Sequence, residues 1–381
     1  MMPFAFVDLD KFDENVASIL RRAKATPICV ASKSVRSIGM MRRIFDASPQ
    51  FHSVMAYSVR EAIHLSHHGF DPILVAYPVW SEARLPAFAE ALRAGKTIRL
   101  MFDLEEHLEF LENLAAEQGI TIPVCLDLDL SMSLPGLHFG VRRSSVTTPA
   151  QAVRLYEVAK GCPHLRFDAL MGYEAQIAGV QDALPGAFAK TALIRWLKSR
   201  SIRQLRARRR EVVEALRGAG CDLRIVNGGG TGSIETTREE SCVTEVTAGS
   251  GFYSPLLFDH YRNFHHQPAA GFAIEITRRP DESTFTCHGG GYIASGPPGW
   301  DRVPQPYLPS GAKLLPLEGA GEVQTPIIYR GPEALEVGDP IFMRHAKAGE
   351  LCERFERLIL LQRGEIVGET STYRGDGLCF L

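Results

Sequence analysis

The sequence predicts an α/β protein built as a closed (β/α)8 barrel followed by an all-β C-terminal domain. Three observations predict it. Eight apolar runs bounded by turn residues alternate with segments of helical period. Those runs are apolar throughout, as parallel strands covered on both faces must be. Beyond residue 255 the helical segments almost vanish and short β-rich runs take over. An open doubly wound sheet would also alternate, but eight strand-and-helix units are the number that closes a TIM-type barrel.

The first unit pairs "TPICVAS" with a helix around "IGMMRRIFDAS". "FHSVMAYS" and "REAIHLSHHG" form the second, "DPILVAYP" and "SEARLPAFAEALRAG" the third. "TIRLMF" precedes "LEEHLEFLENLAAEQG", whose leucines and phenylalanine recur at helical spacing. "TIPVCLDLDL" reaches its helix, "PAQAVRLYEVAKG", through a longer loop, and "LRFDALMGY" precedes a helical region over roughly residues 185–218. "DLRIVNGGG", with a short helix near "SIETTREE", is the seventh unit, and "VTEVTAG" is the eighth strand. The runs "AAGFAIEITRRP", "FTCHGGGY", "EVQTPIIY", "VGDPIFMR" and "RLILLQRGEIVGETSTYRG" read as a β module of about 120 residues. "PFAFVDLD" lacks a partner in the barrel and is assigned to that module. The expected domains are a barrel over 11–255 and a β domain over 256–381 together with 1–10.

Composition narrows the function classes. With 381 residues, 45% of them hydrophobic and 23% charged, the chain reads as an ordinary soluble globular protein. A net charge of −2 argues against an obligate nucleic-acid or membrane-surface binder. No run approaches the ~18 apolar residues of a membrane span, and acidic residues come too early for a secretory signal. Eight cysteines without CxxC spacing read as reduced thiols, so the cytoplasm is the expected compartment.

Working residues of such a barrel sit at the C-terminal ends of its strands. In "PICVASKSVRSIG" a single lysine, Lys33, ends the first strand. Desolvation disfavours an ammonium and makes a lysine amine a usable nucleophile toward carbonyls. Position alone does not separate that role from a lysine snorkelling out of the mouth. The seventh strand adds weight. "IVNGGGTGS" carries Asn227 and then Gly228, Gly229, Gly230, Thr231 and Gly232 between a strand and a short helix, where backbone N–H groups can cradle a phosphate. The eighth loop, "TAGSGFYS", offers Gly249, Ser250 and Gly251 at the other common phosphate position.

Together these motifs resemble the fold-type III pyridoxal-phosphate enzymes, specifically the D-threonine aldolase and D-serine dehydratase branch of the alanine racemase N-terminal domain-like family. That branch opens with a "DLD" segment, here "FVDLDKFDENV". Its Schiff-base lysine maps onto Lys33, with a second basic residue at Arg36. Its phosphate cup maps onto Gly229, Gly230 and Thr231, and "TEVTAGSGFY" supplies Gly249, Ser250 and Tyr253. The resemblance spans nearly the whole chain. It implies pyridoxal 5'-phosphate as cofactor, an amino-acid substrate and a homodimer.

This chain departs from the family pattern in three places. Members with a catalytic metal carry a C-terminal His-x-Cys or His-x-Asp pair. Here "FMRHAKAGELCERF" aligns His345 with the histidine and puts Lys347 where the second ligand belongs. Either Glu350 or Cys352 completes a site for a divalent metal (Mn, Mg or Zn), or no metal binds and the Lys347 charge occupies its place. A polar loop is a third reading. After strand five "PGLHFGVRRSS" replaces a Gly-x-Arg loop, so that His138 or Arg142 would meet the cofactor phenolate or the substrate carboxylate. After strand six a histidine is missing from "MGYEAQIAG", leaving Tyr173, Glu174 and Gln176 as candidates for its space.

Other clusters read as structural. "HYRNFHH" lacks metal-ligand spacing, "HGGGY" reads as a turn, and the arginines of "RSIRQLRARRREVVEALR" read as the solvated face of an outer helix. The expected activity is a lyase on β-hydroxy-α-amino acids, D-configured, of aldolase or dehydratase type, with Lys33, His345 and Lys347 as its catalytic residues. A racemase, drawing a second acid from Tyr292, Tyr307 or Tyr329, is the first alternative. A non-catalytic cofactor carrier is the second, and the β module speaks against it.

Overall fold

In the computed structural model, which describes residues 1–380, the chain opens with strand β1 (Phe4–Asp8) and helix α1 (Leu9–Ala23). The barrel strands follow: β2 (Ile28–Ala31), β3 (Phe51–Ala56), β4 (Ile73–Pro78), β5 (Ile98–Phe102) and β6 (Ile122–Asp127). A small hairpin, β7 (Met132–Leu134) and β8 (Leu137–Phe139), occupies what the sequence reads as a plain loop. The barrel then continues through β9 (Leu165–Gly172), β10 (Ile225–Gly228) and β11 (Glu245–Ala248). All pairings among these eight strands are parallel, and β11 closes on β2. The predicted fold class is therefore the observed one.

Local chemistry sets the barrel helices. The helix Pro149–Lys160 starts with a reciprocal capping box between Thr148 and Gln151 and has proline in its first turn. The helix Glu105–Gln118 stops at Gly119, whose φ of 59° is the left-handed cap that glycine adopts without a Cβ penalty.

The chain divides into two compact units. The barrel unit comprises Ile19–Lys33 and Ile44–Gly249, with Phe380. Its interior is filled by alternate strand residues, among them Leu74, Ala76, Met101, Cys125, Ala169 and Met171.

The β unit comprises Met1–Ser18, Ser34–Arg43 and Ser250–Cys379. Eight more strands complete it: β12 (Ala270–Arg278), β13 (Thr284–His288), β14 (Gln305–Leu308), β15 (Lys313–Leu314), β16 (Gln324–Ile328), β17 (Pro340–Arg344), β18 (Arg357–Gln362) and β19 (Glu365–Ser371). They form one sheet around β1, which pairs antiparallel with β12 and parallel with β18. Among the described residues no helix is long and apolar enough to cross a membrane.

Candidate active site

The period-2 alternation that fills the barrel fixes what its mouth presents. Two positions beyond an inward residue, the next inward side chain emerges at the strand's C-terminal end. Thus Ala31 leads to Lys33, Met101 to Asp103, Cys125 to Asp127 and Met171 to Tyr173. On β10 and β11 the same positions are Gly229 and Gly249. At those two strand ends the inward position carries no side chain, whereas the four named before them each carry one.

Lys33 rides on a single 3-10 turn, Ser32–Ser34, and its half-buried ammonium donates to the Tyr77 hydroxyl at 2.9 Å. Tyr77 faces it because β4 bulges between Val75 and Pro78. The Arg143 guanidinium lies 5.8 Å from the Tyr77 ring centroid and 5.7 Å from that of Tyr173. Burial raises the Tyr173 phenol above its ordinary range, with Lys33 and Arg143 opposing. Asp127 is pushed up to about 7, first by burial and then by the Asp103 carboxylate, against the pull of Arg143.

The glycine loop is tied down from below. Gly229 N donates to Glu174 Oε2 at 3.1 Å, and Gly230 N to Ser233 Oγ at 3.1 Å. A Cβ at Gly228 would stand 2.9 Å from Arg209 Nη2, and one at Gly230 2.8 Å from the Ala178 Cβ. These glycines make room for protein groups as much as for a ligand. At Gly229 the nearest atom to a Cβ would be 3.6 Å away, and its φ of 88° is what calls for glycine.

The other expected residues divide by unit. In the barrel unit Tyr173 is at the mouth, whereas Asn227 is inside the barrel, donating to Glu245 and accepting from Thr247. Gln176 is buried and donates to Leu130 O and Ser201 Oγ, so it braces a loop against a helix. His138 braces its own hairpin through Ser133 Oγ and Val141 O, and Arg142 is exposed. The arginine over the aromatic pair is Arg143, one residue on. Thr231 Oγ1 accepts from Gly249 N at 3.4 Å, which joins the two glycine loops.

In the β unit Arg36 pairs with Glu353 and holds a left-handed φ of 50°, with Tyr373 N donating to its carbonyl at 2.9 Å. Ser250 Oγ lies 3.4 Å from Ser34 Oγ, and the fully buried Tyr253 hydroxyl donates to Val35 O. Both residues thus fix the segment that follows Lys33 in the chain.

The C-terminal donor set does not fit a divalent metal. His345 is fully buried with neither ring nitrogen hydrogen-bonded. Burial, aided by Arg344, pushes it down to about 3, so it is a neutral imidazole and a weak base. Lys347 donates to Ser295, Glu350 accepts from Ser295 N, and the buried Cys352 thiol donates to Val35 O and is pushed up to about 12. Among the described residues no three His, Cys, Asp or Glu side chains group together. The expectation that Glu350 or Cys352 completes a site with His345 finds no support in this arrangement.

One structural expectation is corrected. The arginines of the helix Phe188–Gly218 are not all solvated: Arg209 is fully buried between Glu174 and Glu240. Its place four residues after Leu205 and three before Val212 put it within the apolar stripe, which was the available signal.

A lysine amine at the end of the first strand, beside the glycine loops that follow strands seven and eight, suits a phosphorylated aldehyde cofactor. Residues 7–255 match the family model described as alanine racemase, N-terminal domain, and the chain belongs to that family, whose cofactor is pyridoxal phosphate. Similar solved structures include the D-threonine aldolase from Filomicrobium marinum, at 18% identity and a TM-score of 0.83, covering 100% of this chain and 96% of that one. D-threo-3-hydroxyaspartate dehydratase from Delftia sp. HT23 is similar at 19% identity and 0.77, covering 98% and 97%. Alanine racemase from Clostridium difficile 630, in complex with cycloserine, follows at 14% and 0.66, covering 97% and 98%. At these identities the likeness is one of fold. No curated protein sequence is matched.

Proposed function

We propose that the protein is a pyridoxal-phosphate-dependent lyase acting on D-configured β-hydroxy-α-amino acids, of aldolase or dehydratase type. The observation that carries this reading is the Lys33 amine, held by the Tyr77 hydroxyl at the barrel mouth beside Tyr173 and Arg143. The whole-chain likeness to an aldolase and a dehydratase supports it, with TM-scores of 0.83 and 0.77 against 0.66 for the racemase.

Lys33 would attach the cofactor, and the loops at Gly229–Gly232 and Gly249 would receive its phosphate. The bound cofactor supplies an electron sink for breaking a bond at the substrate α-carbon. The chain's own residues select that bond. Arg143 presents a planar fork suited to a carboxylate, which would fix the substrate's orientation. Tyr77 holds the lysine amine and can pass a proton at Nζ. Retro-aldol cleavage needs a base at the β-hydroxyl. Asp127, pushed up to about 7, takes and releases a proton near neutrality, a better match than His345 at about 3. On this reading the enzyme works as a homodimer in the cytoplasm without a metal. The racemase alternative gains nothing from Tyr292, whose buried hydroxyl is pushed far above its ordinary range by burial.

The test is one assay of purified protein supplied with pyridoxal phosphate, then D-threonine and D-serine, with and without chelator. Cofactor absorbance with acetaldehyde and glycine supports the aldolase, and a 2-oxo acid with ammonia the dehydratase. Inverted substrate alone moves the protein to the racemases. A protein that takes up no cofactor overturns the reading.

A further inference from the structure

We propose that Glu174 is the positioning residue of the phosphate loop: its buried carboxylate holds the loop in the anion-binding conformation. This rests on the reading that the loop after β10 receives the cofactor phosphate, and it names the group that makes the loop fit for it.

Glu174 follows Tyr173 off the end of β9 and is 1% exposed. Its carboxylate accepts from Gly229 N at 3.1 Å, Ser233 Oγ at 3.1 Å, Thr237 Oγ1, and Arg209 Nη2 at 2.9 Å. A buried carboxylate persists only when it is paired and its lone pairs are filled, and both conditions hold here. Pairing alone would need only Arg209. The remaining three bonds all go to the segment 229–237, and Ser233 Oγ in turn accepts from Gly230 N at 3.1 Å. One side chain thus pegs both the start of the loop and the short helix that follows it, Ile234–Arg238.

Two consequences follow for an anion. With Gly229 at φ 88° and its N–H turned inward to the carboxylate, the loop backbone is held in one fixed conformation before any ligand arrives. A bare carboxylate under that loop would repel a phosphate. Arg209 pairs with it and offsets that charge in part, since the same fully buried guanidinium also pairs with Glu240. Its other arm, Nη1, donates to Glu240 Oε1 at 2.5 Å and touches no loop backbone. Glu174 and Glu240 are therefore two partners of one arginine, and the Glu174 carboxylate is the one hydrogen-bonded to the loop.

That asymmetry supplies the test. Full-length protein stripped of cofactor is titrated with pyridoxal phosphate and with pyridoxal, which lacks the phosphate, alongside thermal melts. Glu174→Gln is expected to lose about tenfold in affinity for pyridoxal phosphate and to keep its affinity for pyridoxal. Glu240→Gln breaks the other ion pair and is expected to lower the melting temperature while leaving both affinities in place. A Glu174→Gln protein that loses both ligands equally, or a Glu240→Gln protein that matches its selective loss, overturns the proposal. Should Glu174→Gln fail to fold, Glu174→Asp keeps the charge but withdraws it by one methylene, and undiminished phosphate selectivity there overturns the proposal too. If the wild type binds pyridoxal as tightly as pyridoxal phosphate, the phosphate-loop reading itself fails, and the role of Glu174 fails with it.

Discussion

At the residue scale, one side chain was legible because its context was anomalous and two were not. Lys33 ends a strand whose other residues are apolar, and no packing rule asks for an ammonium there. Tyr77 was hidden because the β4 bulge re-aims it against the expected alternation, and a bulge leaves no mark in a short apolar run. Arg143 was hidden behind Arg142: adjacent arginines in an irregular loop carry no periodicity to tell them apart. Geometry separates them, and kinetics can check it. Arg143→Met should raise KM by about tenfold or more, as loss of a charge-assisted carboxylate contact does. Arg142→Met should stay within about twofold, since exposed charges away from a site contribute little. Equal effects would remove Arg143 from the substrate. Lys33→Ala should abolish both cofactor absorbance and turnover, and full turnover in that variant would sink the assignment of the lysine.

At the scale of elements, the glycine loop shows how a motif that suggests a ligand can also serve packing. A run of glycines after the seventh strand points to a phosphate, yet Gly228 and Gly230 also accommodate Arg209, Ala178 and Tyr173. The sequence could not show this, because those neighbours come from the residue just after β9, a four-residue helix and the long helix Phe188–Gly218, brought together only by the closed barrel. Adding one methyl at Gly230 should therefore have a double effect. Its Cβ would approach the Ala178 Cβ to 2.8 Å and the Tyr173 ring to 3.2 Å. Gly230→Ala is expected to cost about 1–3 kcal/mol of stability by overpacking and to weaken cofactor binding by displacing Tyr173. A variant with unchanged melting temperature and unchanged cofactor affinity would contradict the packing seen here.

At the scale of the molecule, two buried groups give the protein opposing pH responses. Folding raises Asp127 from 3.8 to about 7, so the folded state binds its proton more tightly than the unfolded chain does. Its contribution to stability is fully present below about pH 4 and is lost as pH rises through 7. Folding lowers His345 from 6.5 to about 3, so its contribution is present above about pH 6.5 and is lost as pH falls toward 3. Between about pH 4 and 6.5 the two slopes oppose. Asp127→Asn should stabilise the protein above pH 7 by a few kcal/mol and steepen its acid sensitivity. His345→Phe should do the reverse, protecting the protein near pH 4. Denaturant melts across pH 4 to 8 would show both, and parallel curves for all three proteins would rule the scheme out. The barrel itself was legible at this scale because parallel buried strands and outer helices differ so plainly in period. The assignment of residues 34–43 to the β unit was not, because contacts between segments distant in the chain leave no local trace.

The central place of β1 has a consequence in time. Its neighbours in the sheet are β12 and β18, and the residue paired with Ala5 on the parallel side is Leu358. A ribosome adding ~5–20 residues per second needs roughly 20–70 seconds to deliver that partner. Until β12 emerges "FAFVD" waits with both hydrogen-bonding edges open, and until β18 emerges with one, while the barrel strands emerge and find one another. The first strand made is thus among the last to be satisfied, and a nascent chain stalled before residue 270 would present it as a sticky edge to its neighbours on the same message.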